Sequence, residues 1–484
     1  MKRIYAFLLP FALSGLLFGQ AKQDPKQKPL VFIHVTVIDA TGAPAKSDMT
    51  VVIADDRISE LGQTGKILIP KDAQVVDAAG KFLIPGLWDM HVHTWYPDVA
   101  FPTLFVANGV TGIRDVHGPW DHFEKIKQWR QDIASGKIIG PRILAAGPLV
   151  DGPKSAIKPQ HLEVANPSAG REAVDTLKRR GADLVKVYDW LSRDSYYAVV
   201  DEAKNKGMPY TGHIPYAISG AEASRAGQDI EHLLGILLSV STREAELRQA
   251  LVEGKVQQDA KEMMDTFSKE AASNLFATFA KNGTWVTPTL VIVWKNLKAF
   301  AQDDPDFIAR NKYIPVAYRE ATHPILKDVP RLRDWGKWDP KTVFHTSEEV
   351  ATQKARFEKY LEIVGGMRRA GVRLMAGTDT GAKAFLVPGF SLHDELFLLV
   401  QAGLTPMEAL QAGTRNPAEH LGLADKLGTV QQGKIADLIL LDADPLQEIR
   451  NTQKIAAVVV GGKFISKSSL QQMLTEVQAA AGRK

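Results

Sequence analysis

The spacing of apolar and polar residues changes twice along the chain. From residue 29 to about 84, short apolar runs at 30–38, 48–53, 58–61 and 74–77 are separated by turn residues, which predicts strands of a small antiparallel unit. The same register returns at 433–442 and 455–462, and the two groups together predict a small β-sandwich built from both chain ends. Between them, strand-like segments at 84–93, 110–114, 142–146, 184–188, 210–213, 229–232, 285–290 and 372–379 alternate with helix-like ones such as 168–180 and 193–206. Eight parallel β/α units predict an α/β fold, a (β/α)₈ TIM barrel with its reactive groups at the C-terminal ends of the strands.

The boundaries that follow are 29–84 for the N-terminal half of the sandwich, 85–424 for the barrel, 425–467 for the C-terminal half and 468–484 for a terminal helix. Two stretches exceed what a barrel needs: 233–282, polar and helix-favouring, and 294–371, which carries Trp335 and Trp338. Their composition fits a cap over the mouth and a contact between copies of the chain equally well.

Residues 1–21 begin with Lys2 and Arg3, continue with an apolar stretch from Ile4 to Phe18 and end in small residues, the pattern of a signal peptide cleaved after Ala21. The expectation is a secreted or periplasmic protein with no membrane attachment once the leader is gone. Formal net charge is +4, and removing the two leader cations leaves 57 Lys+Arg against 55 Asp+Glu. Without a basic run in the remaining chain, nucleic acid is excluded as the main partner and a small molecule is expected instead. The chain has no cysteine, so a metal site has to be built from imidazole, carboxylate or something less usual.

Candidate chemistry sits at the ends of the predicted strands. In Trp88-Asp89-Met90-His91-Val92-His93, strand alternation sends His91 and His93 to the same side. Lys186 shares a face with Leu184 and Tyr188, and a lysine inside a barrel is costly unless it is paired or neutral. A salt bridge is one answer. The other is a neutral amine that adds carbon dioxide, giving a carbamate able to bridge two cations. His213, His232 and Asp379 end three further strands, and though each alone fits a core hydrogen bond or a helix cap, the six converge on one place.

On these residues, and on Pro85-Gly86-Leu87-Trp88-Asp89, Met375-Ala376-Gly377-Thr378-Asp379, Pro388-Gly389-Phe390-Ser391-Leu392-His393-Asp394-Glu395, Thr414-Arg415-Asn416-Pro417 and Gly433-Lys434-Ile435-Ala436-Asp437, the chain resembles the amidohydrolase superfamily. The likeness runs from Pro29 to Gly462 and is nearest to the secreted imidazolonepropionase-like and prolidase-like branch. It implies two divalent ions, usually zinc, with His91, His93 and Asp379 on the more buried one and His213 and His232 on the other. Carboxylated Lys186 and a hydroxide would bridge them, and Asp379 would act as general base and then acid. The implied reaction is hydrolysis of a C–N bond in a dipeptide, N-acyl amino acid or cyclic amide; lactone or phosphotriester hydrolysis on the same site and a binding protein without chemistry are the alternatives. His117, Tyr188 and Tyr216 are candidate substrate contacts, and His393 is read as structural. The loop after the third strand lacks the Gly-Gly-His of the dipeptidases, which puts a dipeptide substrate in doubt and leaves Lys154 to meet an anionic group.

Overall fold

The computed structural model describes residues 28–94, 101–158, 160–256, 259–300, 305–315, 346–382 and 386–482. Residues 1–21, Trp335, Trp338, His323 and His345 lie outside them.

Both chain ends enter one eight-stranded sheet. Its N-terminal strands are β1 (Leu30–Val37), β2 (Lys46–Ala54), β3 (Arg57–Gln63), β4 (Gln74–Asp77) and β5 (Phe82–Pro85). Ten short parallel strands follow: β6 (Leu87–Val92), β7 (Val110–Asp115), β8 (Arg142–Ala145), β9 (Leu149–Asp151), β10 (His161–Glu163), β11 (Val185–Val187), β12 (Tyr210–Gly212), β13 (Asp229–Glu231), β14 (Trp285–Thr287) and β15 (Arg373–Leu374). The chain then returns to the first sheet as β16 (Leu438–Leu441), β17 (Ile455–Val460) and β18 (Lys463–Ser466). That sheet runs β18-β17-β16-β5-β1-β2-β3, with β4 parallel to β1. The two ends meet where β16 lies antiparallel to β5, Leu438 opposite Pro85 and Leu441 opposite Phe82.

The parallel strands form a three-stranded sheet, β6-β7-β8, and a seven-stranded one, β10-β9-β11-β12-β13-β14-β15. The helices that cover them start where the sequence predicts. Asn166 caps Pro167–Arg180 by accepting from the Ala169 N–H, with Gly181 closing it at φ +85°; Ser192 caps Arg193–Asn205 the same way. Their apolar faces, with Val174, Leu177, Val199 and Ala203, are buried in the main core, each large side chain worth about 1.5–3 kcal/mol. A second core of Phe32, Val51, Leu83, Leu438 and Val459 belongs to the eight-stranded sheet.

Two departures from the expected pattern matter, and one expectation, the helical reading of 233–282, is met. Segment 84–93 is two strands in two sheets rather than one, because Gly86 turns the chain from β5 into β6. Strands β9 and β10 occupy what reads as a loop, being too short to show a period. Segment 233–282 folds as four helices, Leu234–Ser239, Glu244–Glu253, Ala260–Asp265 and Lys269–Asn282. The terminal helix is Lys467–Ala481, and among the described residues no helix is long and apolar enough to cross a membrane.

Gly86 donates its N–H to the Asp437 carbonyl at 2.8 Å, and the next N–H, of Leu87, goes to Gly109 at 3.1 Å. A Cβ here would lie 2.2 Å from Thr111 Oγ1 and 2.7 Å from its Cγ2. Gly86→Ala is therefore expected to cost about 1–3 kcal/mol in denaturant unfolding, with part of the loss recovered when Thr111→Ala is added. An alanine variant as stable as the parent would show that this joint is not close-packed.

Candidate metal centre

The site is assembled where β6 meets the segment after β15. Opposite β7, β6 is bulged between Asp89 and Val92, so simple alternation does not set the direction of His91. On its other edge the Met90 N–H reaches the Ala376 carbonyl at 3.0 Å, the Asp379 N–H the His91 carbonyl at 2.7 Å, and the His93 N–H the Thr380 carbonyl at 2.7 Å. Asp89, fully buried, accepts from the Thr378 hydroxyl at 2.7 Å and its N–H at 3.0 Å. These bonds bring the Asp379 carboxylate onto both histidines, with Oδ1 at 2.8 Å from His93 Nε2 and 3.2 Å from His91 Nε2.

His213 and His232 arrive from the ends of β12 and β13. The His232 ring is 4.5 Å from that of His91 and 5.0 Å from that of His213. A nitrogen of His91, one of His232 and an oxygen of Asp379 all lie within 4.8 Å of one another. Asp379 and His232 both adopt left-handed backbone, φ +57° and +65°. Such strain costs of order 1–3 kcal/mol per residue and concentrates where the surroundings over-determine geometry.

Lys186 comes from the middle of β11, 2% exposed, and among the described residues its Nζ has no hydrogen-bond partner. Burial pushes its pKa down to about 8, against the pull of Glu231 and Asp379. The structure thus brings His91, His93, His232 and Asp379 together, with the His213 ring beside that of His232 and Lys186 within electrostatic reach of His91, His232 and Asp379.

Sequence reading missed the groups that hold these rings. His91 Nδ1 meets Glu231 Oε2 at 2.6 Å, inside a fully buried pair. Glu231 Oε1 accepts from Arg114 Nη2 at 2.6 Å and from the Thr211 hydroxyl, while Arg114 Nε donates to the Met90 carbonyl at 2.7 Å. Burial works against ionisation of Glu231, but Arg114 and His91 outweigh it and hold the carboxyl well below the usual range. Burial, reinforced by Lys186, pushes His91 down, so the ring is neutral. An ionised carboxylate only accepts, and so the proton of neutral His91 sits on Nδ1 and the lone pair on Nε2.

The same reasoning covers two more rings. His232 Nδ1 is 2.7 Å from Thr289 Oγ1, whose own hydrogen goes to the Pro288 carbonyl at 2.8 Å. His213 Nδ1 is 2.8 Å from Asp189 Oδ1. His93 Nδ1 has the longest contact, 3.4 Å to the His117 carbonyl. Glu231 and Arg114 lie in short strands that carry other polar residues, Asp229 in β13 and Thr111 and Asp115 in β7, so neither stood out, and their pairing across 117 residues of chain was not visible.

The remaining candidates are placed as follows. His117 is 5% exposed, its Nε2 3.1 Å from the Gln160 carbonyl, and burial beside His93 pushes it down to about 3. The Tyr188 ring lies on His213 at 4.1 Å, and Tyr216 Oη is 3.3 Å from Asp189 Oδ2. Arg248, on helix Glu244–Glu253, donates to the Pro215 and Tyr216 carbonyls at 3.3 and 3.4 Å, which ties the helical segment to the loop after His213. Lys154 does not meet an anion: it donates to the Val252 carbonyl at 2.9 Å and sits over the Trp190 ring. His393 bonds Thr452 and the Asn108 carbonyl, a structural link.

Residues 82–465 match the profile described as Amidohydrolase family, and the chain belongs to that family. Its fold agrees with solved structures. Bottromycin amidohydrolase superposes with a TM-score of 0.68 at 24% identity, over 95% of this chain and 92% of that one. A Xaa-Pro dipeptidase with bound methionine gives 0.63 at 19% identity, over 91% and 100%. At these identities the likeness is one of fold. Ochratoxinase from Aspergillus niger is 35% identical over 122 residues, 24% of either chain, so the alignment spans about a quarter of that relative.

Because Glu231 neutralises Arg114 in a dry interior, removing one partner leaves the other unpaired. Glu231→Gln is expected to lower stability by about 3–5 kcal/mol in chemical denaturation, and the double replacement Arg114→Met with Glu231→Met to cost less than the sum of the two singles. Strict additivity would show the pair is not coupled.

Proposed function

We propose that the protein is a binuclear metal-dependent hydrolase that cleaves a C–N bond of a small amide substrate. The observation that carries this reading is the donor set. Three imidazoles have Nδ1 held by an oxygen acceptor, which leaves Nε2 with the lone pair, and two of them, His91 and His232, stand within 4.8 Å of the Asp379 carboxylate. His91 Nε2 and Asp379 Oδ1, 3.2 Å apart, are both acceptors, an arrangement that a cation between or beside them relieves. Imidazole nitrogen with carboxylate oxygen suits zinc, and fixing the far ring nitrogen is how proteins orient such ligands.

His91, His93 and Asp379 would hold one ion and His213 and His232 the other, with Lys186 carboxylated and bridging; a buried amine already shifted toward neutrality is the form that adds carbon dioxide. When bound, the pair of ions acidifies a water and polarises the scissile carbonyl. Asp379 would take the proton of the attacking water and hand it to the leaving nitrogen. Burial around His91 and Lys186 keeps competing water away from the charged groups. The parallel strands are read as a closed (β/α)₈ barrel, supported by the bonds of β6 to residues 376–380 and of the Asp183 N–H to the Ala145 carbonyl at 2.9 Å. The eight-stranded sheet, folded about its own core, is read as the sandwich over 29–84 and 425–467. Export is proposed from the leader-like residues 1–21.

The named activities of the relatives, on peptide-like and amide substrates, support an amide as the bond cleaved. Elemental analysis is expected to find two divalent ions per chain. Asp379→Asn is expected to lower kcat by about 10²–10⁴-fold; unchanged turnover would remove the acid–base role. Lys186→Ala is expected to lose metal and activity, both partly restored by added short carboxylates. In a screen of Xaa-Pro, Xaa-Arg and N-acyl amino acids beside lactones and phosphotriesters, amides are expected to dominate; the reverse order would overturn the C–N assignment.

A further inference from the structure

Asp189, the second residue after β11, is not used by the chemistry above, yet it touches two elements of the site. Its Oδ1 accepts from His213 Nδ1 at 2.8 Å, its Oδ2 takes the Tyr216 hydroxyl at 3.3 Å, and its carbonyl takes the Tyr216 N–H at 2.9 Å. Behind it stands Asp151 at the end of β9, 0% exposed, with one carboxyl oxygen on the Trp190 N–H at 2.6 Å and the other without a hydrogen-bond partner. Aromatic rings close the sides: Tyr188 on His213 at 4.1 Å and Trp190 edge-on to Tyr216 at 4.9 Å.

The imidazoles are therefore held unequally. The carboxylate on His91 is itself fixed by a guanidinium and a hydroxyl, in a site with no solvent exposure. The carboxylate on His213 keeps 18% of its side-chain exposure and is braced by a phenol. We propose that Asp189 is a positioning residue that fixes the His213 proton on Nδ1 and thereby sets the affinity of the more exposed metal ion, with Tyr216 steadying the carboxylate. This rests on the binuclear reading above and adds the residue that governs its second ion.

The physical basis is tautomer choice. An ionised Asp189 can only accept, so His213 must present its Nε2 lone pair to the site. An asparagine of the same shape can turn its amide and donate, which moves the imidazole proton to Nε2 and abolishes the ligand. Loss of such an outer partner typically weakens metal binding 10–100-fold.

The test uses the full chain, loaded with zinc and dialysed against a graded series of buffered free zinc, with retained equivalents counted by elemental analysis and thermal unfolding followed in parallel. The parent is expected to retain two equivalents. Asp189→Asn is expected to hold one as the parent does and the other 10–100-fold more weakly, and Tyr216→Phe to show a smaller loss in that same equivalent. Parent-like retention of both ions by Asp189→Asn, or equal weakening of both, would overturn the proposal. Should the asparagine variant fail to fold, Tyr216→Phe decides, and unchanged retention there overturns it. A parent chain holding fewer than two equivalents overturns the binuclear reading itself, an outcome separate from either result with the variants.

Discussion

A carboxylate with no solvent contact is the constraint from which the geometry of the site follows. Stripping Glu231 of water carries a penalty of several kcal/mol, and the chain offsets it with the Arg114 guanidinium, the Thr211 hydroxyl and the His91 ring. The balance leaves Glu231 ionised, and an ionised carboxylate has one kind of hydrogen bond to offer. His91 must donate to it from Nδ1. A salt bridge between residues of β7 and β13 thus decides which nitrogen of His91 carries a lone pair. Arg114 carries the constraint further, since its Nε bond to the Met90 carbonyl holds the backbone just before His91.

Backbone and side chain cooperate in the same few residues. Gly86 is the joint at which the chain leaves a sheet shared by its two ends and enters the parallel one, and the absence of a side chain there lets Thr111 close over it. Five residues later β6 is bulged opposite β7 around His91, and its other edge takes up the segment 376–380. Asp379 holds a left-handed conformation that an aspartate tolerates better than most residues, kept in place by its N–H bond to the His91 carbonyl. Ligand candidates 288 residues apart in sequence are in this way neighbours on one ladder.

Residue type and position near strand ends singled out His91, His93, His213, His232 and Asp379 as candidates, and Lys186 stood out as a cation in the middle of a buried strand. The sharing of a sheet between the chain ends was legible too, from the matching registers at 30–38 and 433–442. What could not be read was pairing. Glu231 sits beside His232 in the chain but serves His91, and Asp189 follows Tyr188 but serves His213; such partners are defined by strand neighbours, which periodicity does not report. Strands of three residues, such as β9 and β10, fall below the length at which alternation exists. Lys154 misled because a cation in a loop looks available, whereas its stem and charge are spent on Trp190 and the Val252 carbonyl.

A hydrogen-bonded polar core and a metal centre can hold the same residue types, and the balance of donors against acceptors separates them. In a polar core each lone pair finds a proton: Glu231 is satisfied by guanidinium, hydroxyl and imidazole together. Around Asp379 the balance fails. The ring protons of His91 and His232 are drawn outward by Glu231 and Thr289, so their other nitrogens add acceptors beside a carboxylate that is already one. The donor at hand, the Lys186 amine, bonds to none of them, and its burial favours the form without charge. A cluster built to donate electron pairs, with its protons held on the outside, is stable around positive charge and costly without it, and that asymmetry favours a metal centre over a binding pocket that reads substrate by hydrogen bonds alone.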